Sequence, residues 1–145
     1  MRSSWHNNGY QDMLEIFQRR NLILTEPNPG PQIDYVVTLQ SNLTGTQNVF
    51  PARMTLRYVP DRLILKTGAL ADYYAEISNI PFENFESAAV LLMDDFNNEL
   101  VPRWISLRLS KQTADNDQIF HHETALEDRQ PKWGNPRLLD RLERY

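Results

Sequence analysis

The chain has 145 residues, 41% of them hydrophobic, a net charge of −4 and no cysteine. That length suggests one domain, spanning 1–145, that buries roughly 70% of its unfolded surface without needing staples. The charge offers no broad attraction to nucleic acid or to an anionic membrane, and the lack of cysteine excludes disulfides, thiolate metal sites and cysteine nucleophiles. No run of about 18 apolar residues is present to span a bilayer. The first residues, Met1–Asn8, lack the apolar core of a signal peptide. The expectation is a soluble, cytoplasmic protein.

In chain order, Tyr10, Met13, Leu14 and Phe17 keep helical spacing and predict a short amphipathic helix ending near Arg19-Arg20. Two or three turns are marginal alone, so it needs something to pack against. Glu26–Pro31 is proline-rich and predicts a rigid, non-helical connector. Ile33–Ser41 alternates and predicts a first strand, followed by a loop over Asn42–Asn48. Ala52–Val59 predicts a second strand, with Met54, Leu56 and Tyr58 on one face. Pro60-Asp61 interrupts it and Leu63–Thr67 resumes it past a bend.

Two tandem helices follow. Ala69–Asn79 places Leu70, Tyr73, Tyr74 and Ile77 on one stripe, and Asn84–Leu100 places Phe85, Ala88, Ala89, Leu92, Met93 and Phe96 on another. Pro81 separates the helices and Pro102 stops the second. Arg103–Lys111 predicts a third strand, with Ile105, Leu107 and Leu109 facing one way and Trp104, Ser106 and Arg108 the other. Gln112–Asp117 predicts a hairpin loop and Gln118–Glu127 a fourth strand. In the tail, 128–145, Leu138, Leu139 and Leu142 predict a short closing helix. The core spans about 25–127.

The predicted fold class is therefore α+β, in the order ββααββ: an antiparallel sheet with two helices on one face, plus short helical segments at the two ends. That order is shared by the tunnelling fold (T-fold). Glu26-Pro27-Asn28-Pro29 followed by Ile33–Val37, then Arg57-Tyr58-Val59-Pro60-Asp61 with Leu63–Thr67, then Asp94-Asp95 and Pro102-Arg103-Trp104, resemble successive segments of NADPH-dependent 7-cyano-7-deazaguanine reductases. The resemblance covers about Thr25 to Leu109. It implies a role in the queuosine branch of tRNA modification, an oligomer with sites between chains, NADPH as cofactor and a deazapurine substrate. The family reduces a nitrile with a cysteine nucleophile and an aspartate proton donor, and a His-Glu pair helps hold the base.

The chemistry of that family is not carried over. The cysteine would fall in Asn42–Asn48, which has none; Thr44 and Thr46 offer only unactivated hydroxyls. The aspartate would fall near Phe50, and His-Glu is replaced by Phe85-Glu86. Addition to a nitrile carbon needs a strong nucleophile such as a thiolate. Of these groups only Glu86 remains, as an anchor able to accept two parallel N–H bonds from a guanine-like edge. The competing reading is a glutamate favoured at a helix N-terminus, with Asn84 as cap; Glu83 is a nearby substitute.

Other candidates are weaker. His121-His122-Glu123 suggests a metal, but neighbours in a strand point to opposite faces and His6 is far off in sequence, so no metal is expected. Lys66 and Arg62 suit a cofactor phosphate, although a solvated strand edge explains them too. Asp94-Asp95 diverge by about 100° on a helix and read as a solvated helix end. Trp5 lies in the polar first segment. Trp104 reads as core or interface, and Trp133 as part of a docked tail loop. The expectation is a divergent member of the reductase family that holds a purine- or deazaguanine-like ligand between subunits, or acts as an assembly partner. The subunits would be copies of this chain or a related T-fold chain that supplies the cysteine. Alternatives are a T-fold enzyme with other chemistry on a pterin or purine, or a purely structural subunit.

Overall fold

The computed structural model describes residues 12–45, 49–115 and 118–142. Its first element is helix α1, residues 12–20. Strand β1 (Thr25–Pro27), β2 (Val37–Leu43), β3 (Ala52–Val59) and β4 (Leu63–Leu65) follow, then a 3-10 turn at Thr67–Ala69. Helices α2 (Ala71–Ser78) and α3 (Phe85–Leu100) lead into β5 (Trp104–Asp115), β6 (Gln118–Arg129) and α4 (Pro136–Asp140).

The fold is α+β with two antiparallel sheets. The main sheet has the order β2-β3-β5-β6, and β1 pairs with β4 in a separate two-stranded sheet. Within the main sheet, Leu39 opposes Leu56, Leu56 opposes Leu107, and Leu107 opposes Leu126. Met54, Leu56 and Tyr58 of β3 and Ile105, Leu107 and Leu109 of β5 thus share one face. All six are buried with Tyr73 and Ile77 of α2 and Ala88, Leu92 and Phe96 of α3 in one core. The period-2 stripe of each strand meets the period-3.6 stripes of the helices. Each fully buried large side chain stabilises this face by about 1.5–3 kcal/mol. The two alanines, Ala88 and Ala89, are fully buried and let α3 approach the sheet closely.

Several boundaries differ from the sequence reading, each for a local physical reason. The first strand begins at Val37 rather than Ile33, because the backbone and side chains of 28–35 are committed to a turn. There the Asn28 side-chain oxygen accepts from Gly30 N–H at 2.9 Å and from the Tyr35 hydroxyl at 2.5 Å. Ile33 is exposed. The strand then runs on through Leu43, into the expected loop, since Leu43 is buried and pairs with Ala52. The start of the connector, Glu26 and Pro27, is strand together with Thr25. Its partner is Leu63–Leu65, which does not resume the second strand in the main sheet. Pro60 has no N–H to offer a ladder. Beyond it, the Leu65 N–H is taken by the buried Tyr58 hydroxyl at 3.0 Å.

The first tandem helix is shorter than expected, Ala71–Ser78, with Thr67–Ala69 forming the 3-10 turn. The expected loop at Gln112 is strand as far as Asp115, and β6 extends to Arg129. Beyond the Arg53–Ser110 pair, β5 and β6 continue without β3, as a two-stranded ribbon. Val101 closes α3 in the left-handed region, φ 44°, and donates its N–H to Asn97 O at 3.0 Å.

The apolar stripe of α1 does not enter the core: Met13, Leu14 and Phe17 are exposed. Tyr10 lies outside the described residues, as do Trp5, His6 and Thr46. Instead α1 is attached through charge. Arg19 donates to Asp95 from Nε at 2.6 Å and from Nη2 at 2.9 Å, and Arg20 Nε donates at 2.9 Å. The Tyr73 hydroxyl donates to the same carboxylate at 2.7 Å. Asp95 is therefore not part of a solvated helix end; it is fully buried, while Asp94 is exposed. No described helix is long and apolar enough to cross a membrane.

Candidate functional site

Three of the residues singled out for function, Phe85, Glu86 and His122, meet at the start of α3. The helix begins there because Asn84, in extended conformation, accepts from the Ser87 N–H at 2.7 Å. This N-cap bond satisfies one of the open N–H groups of the first turn. Glu86 stands in the same first turn, where its carboxylate meets its own backbone N–H, as suits a glutamate at a helix N-terminus. Phe85 turns inward and is buried, whereas Glu86 points outward, its side chain 55% exposed.

Across from them lies the edge strand β6. Its period-2 alternation puts His122 on the helix-facing side and His121 on the other. The His122 Nε2 lies 2.6 Å from Glu86 Oε2. The Phe85 ring packs on the imidazole with centroids 4.5 Å apart and planes tilted by 35°. Glu86 is held below the usual glutamate range by its own backbone N–H first and by His122 second. The site thus presents a carboxylate fixed by an imidazole, with an aromatic ring beneath. It stands at the base of the β5–β6 ribbon, since His122 opposes Lys111, one step beyond the last β3 pairing. A second glutamate, Glu123, takes a different role: it bridges Arg108 and His121 on the opposite face of the sheet. Glu123 is also held below its usual range, by Arg108 first and His121 second.

The remaining predicted residues are not brought to this site. Lys66 is exposed, and its backbone N–H donates to Leu24 O at 2.9 Å. Arg62 and Glu83 are exposed as well. Phe50, near which the aspartate would fall, is buried in the core, edge-on to Phe82 at 6.2 Å. Among the described residues, no three metal-ligating side chains come together.

Two polar clusters escaped the sequence reading. The first is the Asp95 cluster, whose Tyr73 hydroxyl has its pKa raised well above 10 by burial and then by the Asp95 charge. Its signal was present: Asp95 falls on the Ala88–Leu92 stripe at helical spacing. The second is a clasp at the other end of the sheet. Arg103 donates to Asp34 Oδ1 at 3.0 Å, to Asp61 Oδ1 at 3.3 Å and to the Pro31 carbonyl. Asp34 Oδ2 also accepts from Trp133 Nε1 at 3.2 Å and Asn135 Nδ2 at 3.0 Å. Burial of Asp34 opposes its ionisation, but the bonds from Asn135, Arg103 and Trp133 outweigh that and hold its pKa below the ordinary value. The clasp joins four separate chain segments, which no local pattern announces.

The tail also builds a cavity of about 520 Å³ over the sheet face away from α2 and α3, lined by Trp104, Ser106, Glu127 and Leu139 among others. Trp104 and Ser106, on the face opposite Ile105, Leu107 and Leu109, are buried there. Trp104 Nε1 donates to Glu127 at 2.6 Å. No protein-family model matches the chain, and no curated protein matches it at a significant level.

Proposed function

We propose that the chain is a tunnelling-fold subunit, divergent from 7-cyano-7-deazaguanine reductases, that binds a purine- or deazaguanine-like base between subunits at Glu86. The observation that carries this reading is the Glu86–His122 pair, fixed at 2.6 Å beside the edge strand β6. An imidazole holding one carboxylate oxygen orients the group that would accept N–H bonds from a base edge. The ring of Phe85 lies under the imidazole rather than in contact with solvent.

Assembly is part of the same reading. The strands β2 and β6 are the outer strands of the main sheet. Open edges favour pairing with another chain, and in this reading the second subunit adds at β6, beside which Glu86 is held by His122. A base needs most of its surface enclosed, which an exposed glutamate on one chain does not provide. The second chain is a copy of this one or a related T-fold subunit. Binding, rather than nitrile reduction by this chain alone, follows from its side chains. It contains no cysteine, and Phe50, near which the proton donor would fall, is buried in the core.

Light scattering would establish the assembly, and calorimetric titration of 7-cyano-7-deazaguanine, with guanine beside it, would test the pocket. Wild type should bind and Glu86→Ala should weaken binding by about 10- to 100-fold, as expected for a charge-assisted contact. No binding by folded, assembled wild type would refute a base pocket and favour a structural subunit.

A further inference from the structure

We infer that the groove between α1 and the α2–α3 pair is a docking site for a basic amphipathic helix of a partner protein. This goes beyond the base-binding reading: the groove shares Glu86 with that site, but its floor and the rest of its rim are other residues. The groove is open to solvent along one side and offers about 1160 Å³. Small-molecule pockets are commonly about 300–1,000 Å³. A helix about 10 Å across, rising about 1.5 Å per residue, would fill this groove with about ten residues, or two to three turns.

The floor is apolar. Ile16 of α1, Leu22, Ile80 and Val90 and Leu91 of α3 line it, and Val90 is left 46% exposed. The rim is acidic. Asp12 and Glu15 stand on α1, Glu76 on α2, and Glu86 and Asp94 on α3. The two guanidiniums in the groove, Arg19 and Arg20, are both committed to the buried Asp95. Six carboxylates against two guanidiniums leave the groove with four negative charges. The whole chain also carries −4, so the rest of it is neutral in sum.

The chemistry of the occupant follows from this arrangement. An apolar floor between carboxylate walls matches an apolar stripe flanked by lysine or arginine. The walls are helices, whose backbone groups are paired within themselves and offer no edge to an extended peptide. The partner's backbone must therefore satisfy itself, which a helix does, and side chains at i, i+3, i+4 and i+7 make the contact. The same carboxylates repel an anionic membrane surface.

The test uses a fluorescein-labelled synthetic peptide of about 14 residues, or four helical turns, made of leucine and lysine with leucines at helical spacing. Its anisotropy is titrated with the full chain. Two charge-reversal pairs are compared: Glu76→Lys with Asp94→Lys in the groove, and Glu26→Lys with Asp140→Lys outside it. Both change net charge equally and all four positions are exposed. The expected result is binding by wild type, a loss of about tenfold in the groove pair, and little change in the outside pair. Neither pair touches Glu86, so base binding stays a separate readout. No binding, equal weakening by both pairs, or equal binding of a scrambled peptide of the same composition would overturn the proposal.

Discussion

Asp95 ties α1 to the rest of the fold, and its removal should be strongly destabilising. It is fully buried and accepts four hydrogen bonds: two from Arg19, one from Arg20 and one from Tyr73. Asp95→Ala would leave two guanidiniums and a buried hydroxyl without their acceptor. Removing one partner of a buried ion pair costs about 3–5 kcal/mol. The arginine side chains retain 12% and 23% exposure and border the open groove, so they can turn toward water. That places the expected loss near the lower figure, about 3 kcal/mol. With a urea slope of about 2 kcal/mol per molar, the unfolding midpoint should fall by about 1.5 M. Arg19→Ala should cost less, because Asp95 keeps Arg20 and Tyr73. Replacing all four groups together, with Asp95→Leu, Arg19→Met, Arg20→Met and Tyr73→Phe, should recover most of the loss, since no charge is left stranded. A midpoint for Asp95→Ala close to wild type would refute the reasoning, and would mean that α1 docks without the carboxylate.

Two further outcomes follow from backbone and charge. Val101 is a β-branched residue in the left-handed region and is 60% exposed, so Val101→Gly should raise stability by about 1 kcal/mol, read as a higher urea midpoint; a lower midpoint would show that its side chain contributes more than its strain. Asp34 has a folded pKa below its unfolded value, so its contribution is complete above the unfolded pKa and is lost as pH falls through the folded one. The indole N–H resonance of Trp133 should shift over that acidic window, and Asp34→Ala should abolish the shift; a pH-independent resonance in wild type would refute the link between clasp and tail.

Much of the fold was legible in the chain because it rests on local periodicity. The stripes of Ala69–Asn79 and Asn84–Leu100 and the alternation of Ala52–Val59 located α2, α3 and β3, since a helix and a strand each bury one face at a fixed period. Asn84 as a cap and Pro102 as a stop were equally readable, being properties of a few adjacent residues. The α+β class follows from these elements. Other features depended on partners distant in sequence. Whether Leu63–Leu65 joins the main sheet turns on Thr25–Pro27 and on the Tyr58 hydroxyl. The burial of Asp95 needs two arginines 75 and 76 positions away, and a carboxylate on an apolar stripe has no meaning until they arrive. The candidate site divides in the same way. Glu86 and Phe85 stood out in the sequence, but their partner His122 comes from another element 36 residues on. Sequence by itself determined which residues alternate, cap and stop. Tertiary structure alone decided which charges meet, because pairing across the fold is set by where whole elements pack.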